Sequence, residues 1–107
     1  MSENVRELTP AIITLKSLRP KERRALVQNL NTKHMRGLTE VAVNIVKNTV
    51  PLPLPQQQAC HKWRKSLRML ALKRYPTKKK KVILQKGGFL GAILPVIATV
   101  LGAALNG

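Results

Sequence analysis

Gly87-Gly88-Phe89-Leu90-Gly91-Ala92-Ile93-Leu94-Pro95-Val96-Ile97-Ala98-Thr99-Val100-Leu101-Gly102-Ala103-Ala104-Leu105 runs without a single charge. As a helix rising 1.5 Å per residue it reaches about 28 Å, close to the hydrocarbon thickness of a bilayer. Its aliphatics are diluted by Ala and Gly, and Pro95 stands in the middle. This is the style of peptides that insert conditionally, and small residues such as Gly91 permit close helix association. The alternative is a buried hydrophobic helix, since a short apolar run reads alike in both settings. The expectation is a membrane-active tail over 87–107, with Phe89, Leu90, Ile93, Leu94, Val96, Ile97, Val100, Leu101 and Leu105 inserting.

Upstream of it the charge is lopsided. The chain has 20 Lys and Arg against four acids, Glu3, Glu7, Glu22 and Glu40, for a net charge of +16 over 107 residues. Residues 1–58 hold nine of the cations and all four acids, residues 59–86 hold eleven cations and no acid, and residues 87–107 hold neither. So large an excess implies a polyanionic partner, either nucleic acid or an anionic membrane surface.

Helix signals recur along the first three quarters of the chain. Thr9-Pro10 reads as a cap followed by a first-turn proline, with Ile12, Ile13, Leu15 and Leu18 after it. Arg19-Pro20 ends that helix and opens a second, through about Leu30. Asn31-Thr32 caps a third, in which Met35, Leu38, Val41, Ala42, Ile45 and Val46 recur at helical spacing up to about Asn48. Pro51, Pro53 and Pro55 make 51–55 an extended connector. Residues 56–77 then form a basic amphipathic helix, ended by Pro76, with an apolar stripe of Cys60, Trp63, Leu67, Leu70 and Ala71. The fold class is all-α: a bundle of about four short helices in which 1–50 form the N-terminal region, followed by a lysine-rich linker over 78–86 and the C-terminal apolar helix. So small a core favours a partner or homo-oligomer.

The basic segment suits contact with phosphates or with anionic lipid, through Lys62, Arg64, Lys65, Arg68, Lys73, Arg74, Lys78, Lys79, Lys80 and Lys81. Trp63 fits base stacking, interfacial anchoring or a place in the core. Pro76-Thr77-Lys78-Lys79-Lys80-Lys81-Val82 resembles a monopartite nuclear-localisation signal, an extended cationic run read by an import receptor. It reads equally as a polybasic collar beside a membrane segment. No zinc-finger spacing or RNA-binding aromatic signature accompanies it, so nucleic-acid binding is expected to be non-specific and backbone-directed.

Catalysis is not expected. The four glutamates all precede residue 41, His34 and His61 have no Asp to orient them, and Cys60-His61 are mere sequence neighbours. No cofactor, metal site or small-molecule substrate is expected. Met1-Ser2-Glu3-Asn4 carries no basic-then-apolar leader, so synthesis in the cytosol is expected.

Taken whole, a cationic helical region, a lysine run, Gln85-Lys86-Gly87-Gly88-Phe89 and an apolar tail resemble small basic proteins of adenovirus-like agents. These include the Polinton, Maverick and adintovirus group, and proteins compared with the adenoviral core peptide X. The resemblance covers mainly 78–105. It implies a minor protein inside a virion, nuclear at some stage, that condenses DNA or helps disrupt a membrane. It also implies a processing site after Gly88, although Gln85 stands where the maturation proteases of that group favour an aliphatic residue. Two other roles fit the residues: a cellular tail-anchored protein with a helical docking region, and a ribosome- or chromatin-associated basic protein.

Overall fold

The computed structural model describes residues 2–106. Its helices are α1 (Glu3–Ser17), α2 (Pro20–Gln28), α3 (Thr32–Val46), α4 (Leu54–Lys62), α5 (Arg64–Ala71), α6 (Thr77–Leu84) and α7 (Phe89–Asn106), and the described residues contain no strand. The all-α reading is thus the fold observed.

Helix α1 begins well before the Thr9-Pro10 signal. Ser2 caps it, accepting from the Val5 amide at 3.2 Å and donating to Glu40 Oε2 at 2.7 Å. Pro10 consequently lies inside the helix, and Thr9 donates to the Val5 carbonyl instead of capping. An interior proline costs roughly 3 kcal/mol. Starting early buries Val5 and Leu8 in line with Ile12 and Leu15, and each such side chain contributes about 1.5–3 kcal/mol. The burial wins.

Helix α3 follows its sequence signals closely. Asn31 accepts from the His34 amide at 2.8 Å, and His34 Nδ1 accepts from the Asn31 amide at 3.1 Å. Its face of Met35, Leu38, Val41, Ala42 and Ile45 is buried. Helices α1 and α3 meet at Gly37, where a Cβ would lie 2.5 Å from the Asn4 carbonyl oxygen.

The single helix expected over 56–77 is two helices, broken at Trp63 and ending at Ala71. A straight run of that length would be about 30 Å long and tangent to the globule at one end. The break lets α4 pack on α7 while α5 packs on α3. The proline connector is also shorter than expected, because Leu54 and Pro55 already belong to α4.

Neither is 78–86 a linker. Lys80, Ile83 and Leu84, spaced three and four apart, form the buried face of α6, and the lysine run is helical rather than extended. Helix α7 then turns back at 105° to α6 and packs against α1, α3, α4 and α6. Phe89, Leu90, Ile93, Leu94, Val96, Ile97, Val100 and Leu101 are all buried. The apolar segment is therefore the centre of one core, not an appendage to it. With it in place the radius of gyration is 12.4 Å, as tight as about 13 Å for a typical chain of this length.

Gly37→Ala is expected to lower stability by about 1–3 kcal/mol, because the backbone of α1 must retreat. Gly102 lies in α7 with nothing within 4 Å of an added Cβ, so Gly102→Ala should raise stability by roughly 0.5–1 kcal/mol. Chemical denaturation of the two variants checks both signs.

Candidate functional site

Two features carry chemistry: the cationic surface over α4–α6 and the uncharged helix beneath it. Of the ten predicted anion-binding residues, Lys62, Arg64, Lys65, Arg68, Lys73, Arg74, Lys78 and Lys79 are exposed. Lys62 lies 5.7 Å from the Trp63 ring centroid and Lys79 5.9 Å from that of Tyr75, so both ammonium groups rest on aromatic faces. Arg64 Nη1 stands 3.2 Å from His61 Nε2 on the exposed face.

The last two residues are placed differently from the expectation. Lys81 Nζ donates to the Gln28 and Leu30 carbonyls, both at 2.9 Å. It thereby satisfies the C-terminal end of α2, where a cation complements the helix dipole. Lys80 is only 4% exposed, and its Nζ donates to Thr39 Oγ1 at 2.6 Å. Thr39 passes its own proton to the Met35 carbonyl at 3.1 Å. Burial holds the Lys80 ammonium below the ordinary lysine pKa. An import receptor that reads an extended run would have to unwind α6 and withdraw both side chains.

Trp63 belongs partly to the core. Half-buried at the break between α4 and α5, it meets Phe89 edge-on, with centroids 5.3 Å apart and planes at 80°. Its indole Nε1 is buried and has no hydrogen-bond partner among the described residues. The contact fixes the start of α7 just after Gly88, whose φ of +82° suits glycine. Gly87 and Gly88 are both exposed in this turn.

The predicted inserting residues Phe89, Leu90, Ile93, Leu94, Val96, Ile97, Val100 and Leu101 form the core face of α7, while the side chain of Leu105 lies outside the described residues. Sequence reasoning did not single out the opposite face. Gly91, Pro95, Ala103 and Ala104 are exposed, and Ala92, Ala98, Thr99 and Gly102 are half-buried. The helix thus turns an uncharged strip to the surface. Among the described residues no single helix is long and apolar enough to cross a membrane; α6 and α7 pass that test only together.

Cys60 is half-buried, and burial pushes its thiol pKa up, away from the reactive thiolate. Among the described residues no three His, Cys, Asp or Glu side chains are grouped to hold a metal ion. Comparison with protein-family models, curated proteins and solved structures finds no match to this chain.

Lys80 gives a test of the buried amine. With its pKa depressed in the fold, the unfolded chain binds more protons over the interval between the folded and unfolded values, so its penalty shrinks as pH rises through that interval. Lys80→Met is expected to be neutral to stabilising by about 1 kcal/mol near pH 7. Its advantage over the native chain should narrow as pH approaches the ordinary lysine range, as followed by urea unfolding at several pH values.

Proposed function

We propose that this is a non-enzymatic, cationic, membrane-engaging protein that docks its basic surface on anionic lipid and then inserts α7. One observation carries the reading. A helix at the edge of a soluble domain typically carries polar or charged residues on the strip that reaches solvent. This chain has 20 Lys and Arg, yet among the described side chains the exposed strip of α7 holds Gly91, Pro95, Ala103 and Ala104 and no charge. Charge is absent from the one helix whose entire circumference must be free of it in order to enter lipid.

Docking and insertion differ in magnitude. A Lys or Arg near an anionic leaflet contributes about 1 kcal/mol, and eight of the predicted anion-binding residues are exposed. Together these approach the whole net stability of a small domain, about 5–15 kcal/mol. The 105° angle between α6 and α7 suits one helix lying among headgroups and one entering the chains. A partial or paired insertion accords with the length of α7, 18 residues or about 27 Å.

The reading predicts leakage of dye from anionic liposomes, and Pro95→Lys isolates its cause. Pro95 is exposed in mid-helix, so Pro95→Lys is compared with Pro95→Ala, which removes the same proline, whereas only the lysine at bilayer depth costs roughly 3 kcal/mol. Leakage should fall by about a hundredfold. Equal leakage from the two variants would sink the proposal.

A second reading rests on a separate observation: residues 59–86 contain no acid, and their exposed cations span three consecutive helices. Such a surface also suits sequence-tolerant contact with a nucleic-acid backbone. A minor virion protein meets both packaged nucleic acid and a membrane, and would use the two features in turn. If about six phosphates are engaged, log affinity for duplex DNA should fall against log salt with a slope of roughly −5. Pro95→Lys should leave that slope unchanged, as measured by fluorescence anisotropy.

A further inference from the structure

We propose that the groove between α3 and α6 binds a phosphate monoester, with Lys80, Lys73 and Arg36 as its cationic ligands and Thr77 as a hydroxyl donor. The groove measures about 460 Å³ and is lined by these residues together with Thr39, Glu40 and Tyr75. It is distinct from the outer face of α4 and α5, and the inference does not rest on the membrane reading.

The buried amine points to an anion. Lys80 is 4% exposed, its ammonium carries three donors, and its one hydrogen bond among the described residues goes to Thr39. No carboxylate stands within salt-bridge distance of it among those residues. A buried cation held by one neutral hydroxyl leaves most of its desolvation cost uncompensated. A chain with 19 other cations had ample choice of an apolar side chain here, where Ile83 and Leu84 share the same buried face.

The surroundings complete the site. Arg36 stands one turn before Thr39 and Glu40 on α3, while Lys73 and Tyr75 come from the segment between α5 and α6. Thr77 is the first residue of α6 and lines the groove with Lys80 one turn farther along. The lining holds three cations and one carboxylate, Glu40, which is already engaged by the Ser2 hydroxyl at 2.7 Å. The balance of two positive charges matches a phosphate monoester dianion rather than a diester.

The test is a titration with inorganic phosphate at constant ionic strength, read as a thermal shift and by calorimetry. Phosphate should raise the melting temperature of the native chain. Arg36→Gln with Lys73→Gln should weaken phosphate binding at least tenfold, since charge-assisted hydrogen bonds are lost. Lys16→Gln with Lys47→Gln, which removes equal charge from exposed positions that neither line the groove nor belong to the basic surface, should leave it within about twofold. Lys80→Met should abolish binding while keeping a cooperative unfolding transition. Absence of a phosphate shift in the native chain, or equal loss in both double variants, overturns the site. Vesicles distinguish the sources of the phosphate. A preference for phosphatidic acid over phosphatidylglycerol at equal mole fraction, lost in the Arg36/Lys73 variant, identifies a lipid headgroup. Phosphate binding without that preference identifies a free ester. Failure of Pro95→Lys to reduce leakage would leave this site untouched.

Discussion

The packing of one uncharged helix against its charged amphipathic neighbours holds the molecule together. Phe89, Leu90, Ile93, Leu94, Val96, Ile97, Val100 and Leu101 are buried along α7. At about 1.5–3 kcal/mol each, they supply roughly 12–24 kcal/mol of gross transfer free energy. Net stabilities of small domains are no larger than this, about 5–15 kcal/mol. The fold of α1 to α6 is therefore inseparable from the position of α7. A bilayer offers the same apolar transfer to the same side chains, so exchanging core for lipid is nearly neutral in that contribution. Smaller quantities decide it: the dispersion attraction that the surrounding helices forfeit when α7 leaves, and the charge attraction they gain at the headgroups.

Charge works against the compact state. Twenty cations and four acids share a particle about 30 Å across, while screening at physiological salt extends about 8 Å. The ion pairs among the described residues, Lys33 with Glu3 at 2.8 Å and with Glu7 at 3.5 Å, are exposed, and such pairs contribute little. The Lys33 ammonium does hold the Glu3 carboxyl below its ordinary pKa, but one pair cannot offset repulsion spread over the whole surface. A ligand that neutralises part of that surface therefore does more than bind: it removes self-repulsion that opposes folding.

Much of this is legible in the residues. The α3 cap and its apolar period, the proline that opens α2, the acid-free run and the uncharged end all lie on the surface of the sequence. Besides the break of the 56–77 run at Trp63, three things do not. The start of α1 is hidden because Pro10 is a stronger local signal than Ser2, although Val5 and Leu8 continue the spacing of Ile12 and Leu15. Helix α6 is hidden by its lysines. Lys80, Ile83 and Leu84 keep helical spacing, but a lysine is ordinarily read as solvent-facing, which masks the first member of the stripe and the groove behind it. The destination of α7 is ambiguous in principle, because a helix apolar on all sides satisfies a bilayer and a core by the same rule.

The turn between α6 and α7 is where these constraints meet. Gly87 and Gly88 are exposed, Gly88 adopts a conformation that suits glycine, and the lysine-bearing helix stands at 105° to the uncharged one. Phe89 follows at once and is held edge-on by Trp63, whose ring lies within cation–π distance of Lys62. A cation drawn toward an anionic surface thus sits on the aromatic ring that fixes the root of the buried helix. Lys62, Trp63 and Phe89 thus form one continuous stack from the basic surface to the root of α7, and in the proposed insertion this stack is the point through which headgroup contact would act on the uncharged helix.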